Sequence, residues 1–281
     1  MPVTPEDITI FISALKEVSD YDFSDYSSKS FTRRIEKVLI DYKLDILGLI
    51  GRVRKDKDFL EQVIKDITVN TTELFRDPKT WQTLKYRVLP KYQDKSSLYI
   101  WHAGSSTGQE VYSLMILLNE LGMLDKAKIF ATDINTDVIN VAKEGKYVYR
   151  FNIDYLENFD QVIKQNPFNF EEYADVPYSK YFTIDKIKDT ITMKPFLINK
   201  AIYKKHDLVR QANIWDIKFD IILCRNVLIY FNYELQNRIF SMFHDSLNNN
   251  GYLVLGIHES ILGPQSQKYN KKGLVYSKKL I

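Results

Sequence analysis

The sequence predicts an α/β protein: a mostly parallel sheet with helices on both faces, an N-terminal all-helical domain and a small antiparallel β insertion. Three observations carry that prediction. Residues 1–68 hold amphipathic helical stripes and no strand pattern. From Leu98 onward, short apolar strands alternate with amphipathic helices, the grammar of a parallel sheet covered on both faces. Over about 150–200 that alternation lapses into strand-like pieces around the turn "DKIKD".

In the helical part, Thr4 and Pro5 form a cap and first-turn pair, followed by the stripe Ile8, Phe11, Ile12 and Leu15. A second helix runs through "SFTRRIEKVLIDYK", with Phe31, Ile35, Val38 and Tyr42 on its buried side and Lys29, Arg33 and Lys37 as a basic ridge on the other. Two more stripes follow, Ile46, Leu49, Ile50 and Val53, then Phe59, Leu60, Val63 and Ile64. The segment "DITVNTTELFRDPKTW" breaks the periodicity and reads as a connector, placed at 69–80, and 81–281 reads as one ligand-binding domain. Its strands are "LYIWHA", "KIFATD", "AIYKKHDL", "FDIILCRN" and "GYLVLGI", with helices over 110–121, 136–144 and 233–247 and a last antiparallel edge strand in "GLVYSKK".

The bulk numbers exclude several classes. Hydrophobic residues are 45% and charged residues 27% of 281, a globular balance, and a net charge of +3 is too weak to point to nucleic acid. The single cysteine, Cys224, fits a reducing compartment and reads as a core residue. No apolar run approaches the roughly 18 residues a membrane helix needs, and "MPVTPEDITIF" lacks the basic start of a signal peptide. The expectation is a cytoplasmic protein without membrane insertion. His102, His206, His244 and His258 show no metal-ligand spacing, so no metal is expected.

The chemistry-bearing stretch is "WHAGSSTGQEVYSLMI". Gly104 and Gly108 can take positive φ or admit a ligand against the backbone, and Glu110 opens the helix that follows. It is not G-x-G-x-x-G, so the dinucleotide fingerprint is absent. Asp133 ends the next strand, about twenty residues beyond Glu110, where an acid typically accepts hydrogen bonds from ribose hydroxyls. One adenosine-type ligand explains both stretches. Five apolar residues in "FDIILCRN" then deliver Arg225 and Asn226 to a strand's carboxyl end.

"VNTTELFRD", "WHAGSSTGQEVYSLMI", "FATDINTDVINVAKEGKY", "DIILCRNVLIYF" and "LVLGIHES" stand in the order and spacing of the chemotaxis receptor glutamate methyltransferases, the CheR family, which the sequence resembles over nearly its whole length. "SFTRRIEK" is similar to that family's basic second helix. The resemblance implies a Rossmann-like class I methyltransferase sheet and S-adenosyl-L-methionine as cofactor, with S-adenosyl-L-homocysteine as product. It implies methyl esters on glutamates of cytoplasmic receptor helices, and a monomer that contacts those helices through Lys29, Arg33, Arg34, Lys37 and the β insertion. It assigns Asn70, Thr72 and Arg76 to the connector over the cofactor, Gly104 and Glu110 to the first turn, and Asp133 to the ribose. Asn213 and Ile214 would flank the adenine, Arg225 and Asn226 would make further cofactor contacts, and Arg76 and Tyr230 would stand at the reacting methyl. Gln109, Val111, Asp207 and the order Glu259–Ser260 depart from the family pattern. Two other readings fit the same residues: a methyltransferase of this fold with another substrate, and a non-catalytic cofactor- or receptor-binding module.

Overall fold

The computed structural model describes residues 3–68 and 72–279. Four helices open the chain: α1 (Pro5–Val18), α2 (Ser28–Tyr42), α3 (Ile46–Val53) and α4 (Lys57–Ile67). Their starts are set locally. Thr4 Oγ1 accepts from Asp7 N at 3.1 Å while the Asp7 carboxylate accepts from Thr4 N at 2.9 Å, and Asp45 and Asp56 cap α3 and α4 by accepting from Gly48 N and Phe59 N. The apolar stripes converge on one core containing Phe11, Leu15, Phe31, Ile35, Val38, Leu49, Val53, Leu60 and Val63.

A short helix, α5 (Pro78–Thr83), leads into the sheet. In chain order come β1 (Leu98–Ala103), α6 (Gln109–Glu120), β2 (Ala127–Asp133), α7 (Thr136–Glu144), β3 (Lys146–Val148), α8 (Tyr155–Phe159), β4 (Phe182–Asp185), β5 (Thr190–Met193), α9 (Pro195–Ile198), β6 (Ala201–Lys205), β7 (Phe219–Cys224), α10 (Tyr233–Ser246), β8 (Leu247–Leu255), β9 (Tyr269–Lys272) and β10 (Val275–Lys278). The seven-stranded sheet runs β6-β2-β1-β7-β8-β10-β9, parallel from β6 through β8. Alternate residues feed opposite faces: Ile100, Ile221 and Leu223 pack with α6, whereas Trp101, Ile222 and Cys224 pack with α10. Cys224 is fully buried, and burial pushes its thiol well above the ordinary range.

One expectation needs correction. The strand in "GLVYSKK" is antiparallel to β8, but it is not the edge, because β9 pairs outside it. "YNKK" hid that outer strand, since only Tyr269 of the four is buried. The small antiparallel β insertion is present: β3, β5 and β4 form a three-stranded sheet, with α8 and the turns after it lying between β3 and β4 in the chain.

Strand order reverses between β1 and β7. The carboxyl ends of those two strands therefore diverge under their crossover connections and leave a crevice. The helical part closes one side of it. Tyr26 pairs with Phe231 as an isolated antiparallel bridge, Ser27 N donates to Tyr230 O at 2.8 Å, and Asn232 N donates to Asp25 O at 2.8 Å. On the other flank, Lys65 Nζ lies 2.6 Å from Asp137 Oδ2.

Candidate active site

A hollow of about 1070 Å³, counting its open mouth, occupies this crevice. The turn after β1 supplies its floor. Gly104 has φ +83°, and a Cβ there would stand 2.4 Å from Val227 Cγ2, so glycine is what allows the β7 turn to lie against the β1 turn. Gly108 caps α6 at φ +90°, and a Cβ on it would strike Ala142 at 2.7 Å.

Asp133 stands at the carboxyl tip of β2. Its carboxylate accepts from Ser106 N at 2.8 Å and Asn135 N at 3.0 Å, and no cation pairs with it among the described residues. Burial pushes its pKa above the ordinary aspartate value, with the two N–H donors offsetting part of that. A buried acid with lone pairs left over and no counter-charge is prepared for hydroxyl donors.

Glu110 and Arg225 form the charged centre. Glu110 Oε1 lies 3.0 Å from His102 Nδ1, and its Oε2 accepts from Arg225 Nη1 at 3.0 Å. Burial alone would raise the Glu110 pKa, but the His102 bond and the Arg225 charge outweigh it and hold it below the usual range. Arg225 continues the chain of bonds into the connector: its Nη2 donates to Asp77 Oδ2 at 2.8 Å and to Arg76 O at 2.9 Å, and its guanidinium lies 5.5 Å over the Trp81 ring. Its side chain is 1% exposed. The connector is also pinned from below. Phe75 is fully buried between Trp81 and Phe159, and Phe75 N donates to Ser113 Oγ at 2.7 Å. Phe75 and Asp77, on either side of Arg76, both have positive φ, 52° and 58°. Left-handed backbone at non-glycine residues persists only where the surroundings over-determine it, and here it sets the direction of Arg76.

Asn226 is left-handed too, φ 60°, and its turn is gripped by Glu259. The Glu259 carboxylate accepts from the N–H groups of Asn226, Val227, Leu228 and Gly256 at 2.7–2.9 Å, with Ile229 N at 3.3 Å. That cradle fixes Tyr230, whose half-buried side chain faces the hollow and whose pKa is raised by burial.

Of the residues singled out from sequence, Thr72, Arg76, Gly104, Glu110, Asp133, Arg225, Asn226 and Tyr230 line this one hollow. Asn70 lies outside the described residues. Asn213 and Ile214 do not line it. Asn213 holds its own turn, donating to Ile217 O at 2.7 Å and accepting from Trp215 N at 3.0 Å, beside a separate surface depression. The basic ridge also divides: Arg34 lines the hollow with Ser30 and Phe31, while Lys37 pairs with Asp41 at 2.6 Å. Helical spacing carried that signal, since Arg34 stands three and four residues after Phe31 and Ser30, on their face. His206 and Asp207, at the carboxyl end of β6, also line the wall, and nothing in the strand pattern "AIYKKHDL" signals a site role for them.

A family model described as "CheR methyltransferase, SAM binding domain" matches residues 70–276. The Pseudomonas putida protein named "Putative methyltransferase Cher3" is 34% identical over 259 residues, covering 92% of this chain and 90% of its own. The chemotaxis protein methyltransferase of Borreliella burgdorferi is 32% identical over 220 residues, covering 75% and 71%. That of Listeria innocua is 28% identical over 267 residues, covering 94% of each.

Proposed function

Because the chain belongs to the CheR methyltransferase family, we propose that it transfers the methyl group of S-adenosylmethionine to glutamate carboxylates on cytoplasmic helices of chemotaxis receptors. The observation that carries this reading is one hollow lined by both the uncompensated acid Asp133 and by Arg76 and Tyr230. The walls suit a nucleoside joined to an amino acid. Ser106 Oγ, Arg34 Nε and His206 Nδ1 are buried without a hydrogen-bond partner among the described residues, and all three residues line the hollow. Asp133 is the ribose acceptor, with Ile134 and Val209 as apolar wall for the base. Glu110 keeps spare lone pairs on both oxygens for the amino-acid end.

The cofactor supplies an electrophilic methyl on a sulfonium; the protein's task is to place a carboxylate against it. A glutamate with its ordinary pKa near 4.3 is ionised at neutral pH, so no general base is required. Holding the reacting atoms about 3–3.5 Å apart contributes on the order of 7–11 kcal/mol to such a displacement. Arg76 has no ion-pair or hydrogen-bond partner for its side chain among the described residues, which leaves its guanidinium fork for the incoming carboxylate. It orients rather than clamps, because the carboxylate loses its charge as the ester forms and tight pairing would favour the ground state. Arg225 acts through Arg76: bound to both Asp77 and the Arg76 carbonyl, it holds the connector over the hollow. Tyr230 contributes its hydroxyl or its ring face to the cationic centre. The protein works as a cytoplasmic monomer in this reading.

The test is incubation of the full chain with methyl-labelled cofactor and receptor cytoplasmic fragments. The expected result is label released as methanol by alkali. Alkali-stable label would mean N-methylation, and S-adenosylhomocysteine binding without any incorporation would mean a non-catalytic module.

A further inference from the structure

His102 touches the charged centre, and the methyl-transfer reading gives it no task. Alternation along β1 puts it on the same face as Ile100, the face covered by α6, and Glu110 stands in the first turn of that helix. The residue is fully buried, paired with Ala131 of β2 on one side and Leu223 of β7 on the other. Its Nδ1 lies 3.0 Å from Glu110 Oε1, and its Nε2 is buried without a hydrogen-bond partner among the described residues.

The protons on this ring follow from its surroundings. An imidazolium would bury a charged Nε2–H with nothing to accept it, beside a carboxylate whose charge Arg225 already matches. A neutral ring protonated at Nε2 would orphan the same N–H and turn the bare Nδ1 lone pair against a carboxylate oxygen. The neutral ring protonated at Nδ1 donates to Glu110 and leaves no N–H unpaired; what remains at Nε2 is an acceptor lone pair.

We propose that His102, neutral and protonated at Nδ1, is a positioning residue: it fixes the Glu110 carboxylate between itself and Arg225, so that the remaining lone pairs of Glu110 receive the ammonium of the ligand's amino-acid end. The inference rests on the reading that the hollow takes a nucleoside joined to an amino acid. Bonded at Oε1 by His102 and at Oε2 by Arg225, the carboxylate cannot turn about its terminal torsion. Because the His102 bond brings no charge, the carboxylates of Glu110 and Asp77 face the single guanidinium of Arg225, and the buried centre keeps a net negative charge for an ammonium. An imidazolium would cancel that excess. Arg76, on the same hollow, is matched by the substrate carboxylate in this reading.

The experiment uses the full chain as wild type, His102→Phe and His102→Asn, the last keeping an N–H donor near the Nδ1 position. Nitrogen NMR, with the His102 ring assigned through its own side-chain carbons, reads the tautomer at neutral pH. Calorimetry compares S-adenosylhomocysteine with methylthioadenosine, which keeps the nucleoside and lacks the amino acid. The expected spectrum has a protonated Nδ1 and a bare Nε2. In His102→Phe the S-adenosylhomocysteine Kd and the cofactor KM should rise at least tenfold, with the methylthioadenosine Kd and the kcat at saturating cofactor within threefold; His102→Asn should restore most of the lost affinity. Equal weakening of both ligands in His102→Phe would reduce His102 to a structural role and overturn the proposal. So would wild-type S-adenosylhomocysteine affinity in that variant, or a ring protonated at Nε2. The spectrum decides even if neither variant folds: the Nδ1–H signal should shift with S-adenosylhomocysteine and stay still with methylthioadenosine, and a ring that ignores both overturns the assignment. The two readings fail separately. Affinity that depends on His102 in a protein forming no alkali-released methanol sinks ester formation alone, whereas methanol formed while His102→Phe weakens both ligands equally sinks the His102 assignment alone.

Discussion

The two ends of the central sheet each bury an aspartate, and they use it in opposite ways. Near the amino end of β7, Asp220 is bonded by Lys95 Nζ, by Asn248 Nδ2 at 2.8 Å and by Tyr99 N at 2.9 Å. At the carboxyl end of β2, Asp133 has two backbone donors and no cation. The first acid is compensated by the protein itself and staples the strands together. The second is left short of donors, and its charge is stabilised only when something outside the chain supplies them. The same contrast runs through the backbone. Phe75, Asp77, Ser106 and Asn226 have positive φ around the hollow, strain on the order of 1–3 kcal/mol each that the knot of Arg225 and the cradle of Glu259 offset. Burial alone therefore does not mark a functional acid; the balance of its partners does.

The largest expected effect tests the ligand end. Arg76→Ala should lower kcat by about a thousandfold, roughly 4 kcal/mol of barrier, with S-adenosylhomocysteine affinity within threefold; unchanged turnover would remove Arg76 from the reaction. At the opposite end, Asp220→Ala strands Lys95 and Asn248 and should cost about 3 kcal/mol of stability, read as a lower Tm, without altering S-adenosylhomocysteine affinity. The contrasting result is predicted for Asp133→Ala: affinity lost about a hundredfold by calorimetry, with Tm shifted far less than in Asp220→Ala. If both aspartate variants behaved alike, the contrast between the two ends would be wrong.

Smaller effects sharpen it. Asp77→Asn weakens the Arg225 latch and should lower kcat about tenfold while leaving affinity alone, with Asp77→Glu restoring part of the rate. The sign of the pH effect follows from Asp133. Its folded pKa is raised, so in the ligand-free protein it opposes folding as pH rises from the ordinary aspartate value through the raised one. Ribose hydroxyls favour the ionised form, so affinity should fall on acidification, starting above the ordinary aspartate range. Calorimetry should show a slope of at most tenfold per pH unit that disappears in Asp133→Asn.

Much of this was legible in the chain. Thr4 and Pro5 announced a helix start because a cap closes within one turn, and the strands announced themselves as apolar runs ending in Asp133 or Arg225. Asn213 gives no such signal: an asparagine in a turn can bond its own backbone, and this one donates to Ile217 O and accepts from Trp215 N. Arg34 stands beside Arg33 in the chain, but adjacent helical residues point about 100° apart, so it faces the hollow and not the ridge.

By itself the sequence determined the alternation of strands and helices, the caps, the apolar faces, and the arrival of an acid and an arginine at strand ends. All of these are set by periodicities of two and 3.6 residues and by bonds closed within one turn. The tertiary structure alone decided that Arg225 reaches Asp77 in the connector, that Glu259 cradles the turn before Tyr230, that β9 and not β10 forms the edge, and that Arg34 faces inward. The Arg225–Asp77 and Glu259 contacts depend on residues far apart in the chain meeting in a buried place. There an unpartnered charge or N–H costs several kcal/mol, so the partner chosen is whichever the packing brings within reach.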